Sequence, residues 1–200
     1  MQSGALTRRT AARLPWLLAV LAFAACSSTP PRIYQRVSYD YLPQLRLNVA
    51  TIEVEDRSAS DGGDDVSNRA PTPPVSALRQ MASDRLKAFG NSGRAVLVIR
   101  TASLVRNDDR ITGRMSVQLD IYTSDNNRVA FATADVVQTR TGDIDDLRAA
   151  LYELTNLMLE KMNVELEFQA RRSLKDWLLT DTPGAVPTPV TQENLLAPKT

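Results

Sequence analysis

Apolar and polar side chains alternate along residues 45–55, and this period of two predicts a first strand. The alternation changes phase between Val49 and Ile52, which indicates a bulge or a strand that is buried on both faces. The next segment, 56–74, is rich in aspartate, glycine and proline. Because such a composition buries little apolar surface, we expect a mobile loop there.

A first helix is expected near Ser76, whose hydroxyl can cap its beginning. Gly90 stands where the end of such a helix favours a left-handed residue. The apolar residues of this stretch recur at intervals of three and four, as they do on one face of a helix. They are Val75, Leu78, Ala82, Leu86 and Phe89.

Three further strands are expected after this helix. Residues 95–105 are rich in β-branched side chains, a turn is expected at 107–109, and residues 111–121 alternate strictly. The core residues of that alternating strand are Met115, Val117, Leu119 and Ile121. A turn at 124–127 precedes the fourth strand, which is expected to direct its bulky residues to the core: Val129, Phe131 and Val137. Its small residues then form the opposite face: Ala130, Ala132 and Ala134.

A long helix is expected after Asp143, which can cap it. Its apolar stripe consists of Ile144, Leu147, Leu151, Leu154, Met158 and Met162. Residues 164–168 alternate and could form a fifth strand, but continued helix is favoured because no helix breaker precedes Leu174. Residues 180–200 contain four prolines and are expected to be a disordered tail.

This order of elements predicts an α+β fold over residues 45–179. The expected architecture is a β-α-β-β-β-α two-layer sandwich, in which a mostly antiparallel four-stranded sheet carries its helices on one face.

The composition excludes several classes of function. Hydrophobic residues make up 43% of the chain and charged residues 24%, as in ordinary soluble globular proteins. The net charge of +1 provides no field for nucleic acid, so no nucleic-acid partner is expected. The chain has no histidine, the commonest general base and metal ligand, so we expect neither an enzyme nor a metal or other cofactor. A single cysteine excludes an intramolecular disulfide.

The first 25 residues have the organisation of a secretory signal. Arg8, Arg9 and Arg13 precede an apolar run of 12 residues, 14–25, which ends in small residues. A helix needs roughly 20 apolar residues to cross a bilayer. We therefore expect a cleaved signal peptide rather than a retained anchor.

The two alanines before the sole cysteine, Cys26, resemble the lipobox of bacterial lipoproteins, although Phe23 stands where leucine is usual. The resemblance implies that a diacylglyceryl group alkylates the Cys26 thiol and that Cys26 becomes the first mature residue. Ser27 implies an address at the outer membrane, with the domain on the periplasmic face. Residues 26–44 would then be a lipidated tether. The alternative is an ordinary cleaved signal that leaves Cys26 as a free thiol.

The order of elements on a lipidated tether resembles that of small accessory lipoproteins of the Gram-negative envelope, namely lipopolysaccharide-assembly (LptE-like) lipoproteins and auxiliary lipoproteins of lipid transporters. The resemblance implies an interaction module that binds another envelope protein during assembly or transport. The alternative is a lipid or glycolipid binder with a groove between sheet and helices. The expected partner surface is the alanine face of the fourth strand, Ala130, Ala132 and Ala134, bordered by Arg114 and Arg128.

Overall fold

The computed structural model describes residues 32–59, 62–142 and 144–179. The strands are β1 (Leu45–Leu47), β2 (Thr51–Asp56), β3 (Asp64–Asp65), β4 (Leu86–Ala88), β5 (Arg94–Asn107), β6 (Arg110–Tyr122) and β7 (Arg128–Thr141). The helices are α1 (Pro74–Arg85) and α2 (Leu147–Ser173), with short 3-10 turns at Ser67–Arg69 and Lys175–Trp177.

The main sheet has the strand order β2-β5-β6-β7, and β3 adds a short pairing to the far end of β5. β2 runs parallel to β5, whereas β6 and β7 continue as antiparallel hairpins. β1 and β4 form a separate parallel pair. The predicted α+β sandwich with a long C-terminal helix is therefore confirmed, and the short strands β1, β3 and β4 add to it.

One continuous hydrophobic core lies between the main sheet and the two helices. The sheet contributes Leu97, Ile99, Met115, Leu119 and Ile121, which are at most 1% exposed. The helices contribute Leu78, Met81, Leu151, Met158 and Met162. α2 approaches β6 so closely that a Cβ atom on Gly113 would lie 2.2 Å from the Met158 sulfur. A larger residue at this crossing would require the Met158 side chain to move.

The predicted first strand is interrupted at residues 48–50, where we expected at most a bulge. The backbone N–H of Asn48 donates to the Trp177 carbonyl, and that of Ala50 donates to Gly93. These bonds direct β1 and β2 into different sheets. Gly90 packs against this break, since a Cβ there would lie 2.5 Å from the Asn48 carbonyl carbon.

Helix α1 begins and ends earlier than expected. Pro74 occupies its first turn, where the missing N–H of proline costs no hydrogen bond. The helix ends at Arg85 because Leu86, Lys87 and Ala88 pair with β1 instead. Leu86 is still buried, but Phe89 is 47% exposed and lies outside the core that we expected it to join.

Helix α2 continues through 164–168, so the favoured interpretation of that stretch as helix is confirmed. Its cap is Asp146, whose side chain accepts a hydrogen bond from the Ala149 N–H at 3.0 Å. The expected cap, Asp143, lies outside the described residues, as do the predicted signal peptide, Cys26 and the tail 180–200. No helix in the described ranges is long and apolar enough to cross a membrane.

Two segments expected to be irregular pack against the domain. Within 56–74, Val66 and Ala70 are buried, and Ser67 accepts a hydrogen bond from the Leu104 N–H. Within the expected tether, Tyr39 is 3% exposed, and the Tyr34 ring lies 5.1 Å from that of Tyr152. The difference is explained by Tyr39, Val66 and Ala70, whose apolar side chains join the core, whereas Ile33 and Tyr41 remain exposed.

A buried arginine joins three parts of the chain. Arg85, at the end of α1, is 1% exposed. Its Nε donates to Asn163 of α2 at 2.7 Å, its Nη1 donates to the Pro43 carbonyl, and its Nη2 pairs with Glu167. A buried charge is tolerated only when it is paired and hydrogen-bonded in this way.

Candidate functional site

The alanine face of β7 is not a surface. Ala132 and Ala134 are 2% and 1% exposed and belong to the core beneath α2, and Ala130 packs against that core. The residues that we expected to be buried are outside: Val129, Phe131 and Val137 are 48%, 52% and 56% exposed. The predicted partner face is therefore wrong. This face of β7 has small residues because α2 packs directly on it.

The two arginines expected to border that face, Arg114 and Arg128, lie on the opposite side of the sheet. We call this side the outer face and define it by the β6 residues Arg114, Ser116, Gln118, Asp120 and Tyr122. Arg128 reaches the outer face by an ion pair with Asp120, at 3.3 Å. The arginines and the alanines that we grouped together are thus separated by the thickness of the sheet.

The outer face has a small apolar floor. Val96 and Val98 of β5 are 2% and 7% exposed, yet neither belongs to the core between sheet and helices. They pair in register with Asp120 and Gln118 of β6. Phe131 of β7 pairs with Asp120 from the other side. The two valines are themselves covered, so the exposed apolar surface on this otherwise polar face is that of Phe131.

A cavity of about 430 Å³ lies over this floor. Its lining residues are Arg57, Val98, Arg100, Gln118, Asp120, Tyr122 and Arg128. The volume is within the range of small-molecule sites, which is roughly 300–1,000 Å³. Three guanidinium groups against one carboxylate give the lining a positive charge.

Asp120 orders one side of this cavity. It is 4% exposed, although it is acidic. Its Oδ1 accepts a hydrogen bond from Gln118 at 2.8 Å and pairs with Arg128 at 3.3 Å. The same Asp120 oxygen therefore binds both Gln118 and Arg128. The ion pair keeps the Arg128 side chain beside the cavity.

Arg100 is placed by a β-bulge. The register between β5 and β6 shifts between Ile99 and Thr101, so that Arg100 has no partner residue on β6. Bulges redirect side chains in this way. Arg100 borders the cavity and also a neighbouring one of about 300 Å³, which contains Arg114, Ser116 and Asp135. Within the described residues, the Arg100 side chain makes no hydrogen bond or ion pair.

The third cation, Arg57, follows the end of β2. Its backbone N–H donates to the Ile99 carbonyl at 2.9 Å, which fixes the residue beside the bulge. Its side chain pairs with Glu55, which is itself partly exposed. No cluster of side chains in the described ranges has the composition of a metal site.

A second candidate site is the free edge of β7, the last strand of the main sheet. β7 is 14 residues long, and within the described residues only β6 pairs with it. It contains no lysine and no proline. One of its carbonyl groups, that of Val137, accepts a hydrogen bond from the Gln138 side chain.

Sequence reasoning identified Arg114 and Arg128 but missed Arg57 and Arg100. Arg57 lies in the segment 56–74 that was predicted to be a mobile loop, and Arg100 lies inside the predicted second strand. A single charged residue within the run 95–105 was the available signal, because a charge inside a buried strand has to reach solvent or a partner.

Comparisons with known proteins give weak likenesses. No protein-family model and no curated protein matches the chain. A minor lipoprotein from Acinetobacter baumannii is similar over 68% of this chain and 99% of its own, with 12% identity and a TM-score of 0.35. Lipoprotein GNA1162 from Neisseria meningitidis is similar over 56% of this chain and 98% of its own, with 9% identity and a TM-score of 0.28. TM-scores this low do not establish a common fold.

Proposed function

We propose that this chain is a lipoprotein, anchored through Cys26 to the periplasmic face of the outer membrane, that binds another envelope protein during assembly or transport. The anchor is supported by the basic, apolar and small-residue order before Cys26. One acyl chain binds membranes only marginally, so a stable anchor requires a Cys26 that carries more than one. We infer no catalytic role for the domain.

The observation that carries the binding proposal is the free edge of β7. An edge strand presents unpaired backbone N–H and C=O groups, and proteins usually protect it with lysine, proline or a covering element. β7 has no lysine or proline, its two arginines, Arg128 and Arg140, are paired with Asp120 and Glu153, and among the described residues no strand covers its edge. Phe131 and Val137, both more than half exposed, provide apolar contacts next to that edge.

These features suit the addition of a strand from a partner. Main-chain hydrogen bonds to the edge provide affinity in such complexes, and alternate side chains provide specificity. A partner strand beside β7 would place every second side chain on the outer face, next to Phe131 and Val137. We therefore propose that the partner is an envelope protein with an exposed, extended segment.

The alternative, a lipid held between sheet and helices, receives less support. Leu119, Met158 and Met162 fill that layer and are at most 1% exposed. A methyl group added at Gly113 would meet the Met158 side chain at 2.2 Å, so that side chain would have to move to admit it. An acyl chain there would have to displace core side chains.

The anchor is tested with Cys26→Ser, which removes the thiol that accepts the lipid. We expect the variant to lose labelled palmitate and to leave the outer-membrane fraction, while Ser28→Ala, the matched control, keeps both. If Cys26→Ser still carries palmitate and fractionates with the outer membrane, the proposed anchor is wrong.

The edge is tested with a photoreactive amino acid at Phe131 on β7 or at Thr51 on β2. Both positions are exposed and lie on opposite edges of the sheet. Irradiation of intact cells is expected to link one defined envelope protein to the β7 probe and not to the β2 probe. Equal capture by both probes, or none by either, would contradict binding at the β7 edge.

A further inference from the structure

We propose that the arginine-lined cavity on the outer face binds a phosphate monoester, with Arg57, Arg100 and Arg128 as the residues that hold the phosphate. This site is separate from the lipid anchor and does not require a partner strand. The inference rests on the side chains that converge on the cavity and on their existing contacts.

The three guanidinium groups approach from different strands. Arg57 comes from the end of β2, Arg100 from the bulge of β5 and Arg128 from the start of β7. A carboxylate is planar and is satisfied by one bidentate arginine. A phosphate presents oxygens in three dimensions, so cations that converge from several directions match it better.

The existing contacts leave the cavity with unsatisfied cationic donors. Arg128, whose side chain is half-exposed, is paired with the buried Asp120. Arg57 pairs with a partly exposed Glu55, which a doubly charged phosphate can displace. Arg100 makes no hydrogen bond or ion pair within the described residues, although five N–H donors belong to each guanidinium group. Exposed arginine is common, but an unpaired one between two others beside a cavity provides a ready donor for an anion.

The cavity has room for more than a phosphate group. About 430 Å³ exceeds the space that a single phosphate needs. Val98 forms part of the floor and Tyr122 part of the wall, so that both can contact an apolar or ring-containing body. The phosphate could be the headgroup of a lipid or part of a soluble monoester, and the same three arginines would recognise either.

The experiment uses the full chain in nonionic detergent micelles at about physiological ionic strength, where a Debye length of ~8 Å screens nonspecific attraction. Equilibrium dialysis measures the binding of inorganic phosphate. A parallel series adds phosphatidic acid to the micelles, with phosphatidylcholine as the lipid control. Saturable binding of phosphate alone identifies a soluble ligand, whereas saturation only with phosphatidic acid identifies a lipid headgroup; either result supports the proposal.

The variant Arg100→Ala is expected to weaken binding about tenfold or more, the factor expected for losing hydrogen bonds from a charged donor. Arg100→Lys should recover part of the affinity because it retains the charge without the planar fork. Arg172→Ala, which removes an exposed arginine from α2, is the matched control and should bind as the parent does. Thermal melting is expected to be the same for all three variants.

Two results would overturn the proposal. One is the absence of saturable binding for both inorganic phosphate and phosphatidic acid. The other is an equal loss of affinity in Arg100→Ala and Arg172→Ala, which would indicate attraction to the overall surface charge. Neither result depends on the Cys26 fractionation or on the β7 capture experiment, so failure of this site and failure of the proposed function are distinguishable.

Discussion

β2 and β7 form the two edges of the main sheet, and they differ in length and charge. β2 has six residues, of which Glu53, Glu55 and Asp56 are acidic. An arginine of α1, Arg79, donates to the Val54 carbonyl at 3.2 Å and thus occupies part of its backbone. β7 has 14 residues, and its one acidic residue is Asp135.

Every edge strand has unpaired backbone groups that could pair with another strand, and β2 and β7 differ in how far they oppose such pairing. A short, charged strand with a side chain on its carbonyl cannot accept another strand without losing those contacts. β7 is more than twice as long, its two arginines are paired with acids, and one of its carbonyl groups is bonded by Gln138, so most of its edge has no such contact among the described residues. Within the described residues, added pairing is therefore opposed along the whole of β2 and less opposed along β7. The following predictions test this contrast, beginning with the largest effect.

Ala132→Arg should unfold the domain or destabilise it by more than about 4 kcal/mol, because it places a long charged side chain in a closely packed core. Ala132 is 2% exposed beneath α2. Thr133→Arg, its neighbour on the outer face, should change the free energy of unfolding by less than ~0.5 kcal/mol. Denaturant unfolding followed by circular dichroism measures both. Equal stability of the two variants would mean that the faces of β7 are assigned incorrectly.

Val137→Lys should leave stability within about 0.5 kcal/mol of the parent, since the Val137 side chain is 56% exposed. It should nevertheless reduce photochemical capture at Phe131 severalfold, because a lysine on an edge strand opposes pairing. Thr51→Lys on the β2 edge is the control and should leave capture unchanged. Capture that survives Val137→Lys undiminished would argue against a strand partner.

The smallest expected effect concerns the acidic edge. Ser58 donates its hydroxyl and its backbone N–H to Asp56 at 2.6 and 3.0 Å, and these bonds lower the pKa of the Asp56 carboxyl. Folding thus favours the ionised carboxylate. Its contribution to stability is complete above the usual carboxyl pKa, near ~3.9, and is lost as the pH falls through the lower folded value.

Removal of that hydroxyl in Ser58→Ala should raise the pKa of Asp56 toward its ordinary value. A carbon-detected NMR titration of the carboxyl group measures the change. An unaltered titration midpoint would show that the Ser58 hydroxyl does not stabilise the ionised Asp56 carboxylate.

Strictly periodic elements could be predicted from sequence. Strand β6 alternates without exception, and its core residues Met115, Val117, Leu119 and Ile121 are all buried as expected. The long apolar stripe of α2 was equally informative. The short strand β4 could not be foreseen, since three residues that continue a helical pattern became a strand only through pairing with β1.

The faces of β7 were assigned incorrectly because of a single residue. Tyr122 pairs with Arg128, and continuing that register would pair Ile121 with Val129 and so place the bulky residues in the core. Instead Ile121 pairs with Ala130, and the extra residue shifts every later side chain to the other face. Neither this bulge nor the one that places Arg100 changes the local sequence pattern. The positions of Arg100 and Arg128 at the candidate site therefore depend on two β-bulges that sequence periodicity does not reveal.

The contacts of Arg85 have a mechanical consequence. A pull on the chain from its N-terminal side enters the domain through the residues before β1, where the Pro43 carbonyl is bound by Arg85. Arg85 transmits that load to Asn163 and Glu167 on α2. The segment before β1 is thus bonded to α1 and α2 through Tyr39, Gln35 and Pro43, and these noncovalent contacts bypass β7 although β7 precedes α2 along the chain. If the protein is tethered, tension on the tether can reach the domain without first separating β7 from β6.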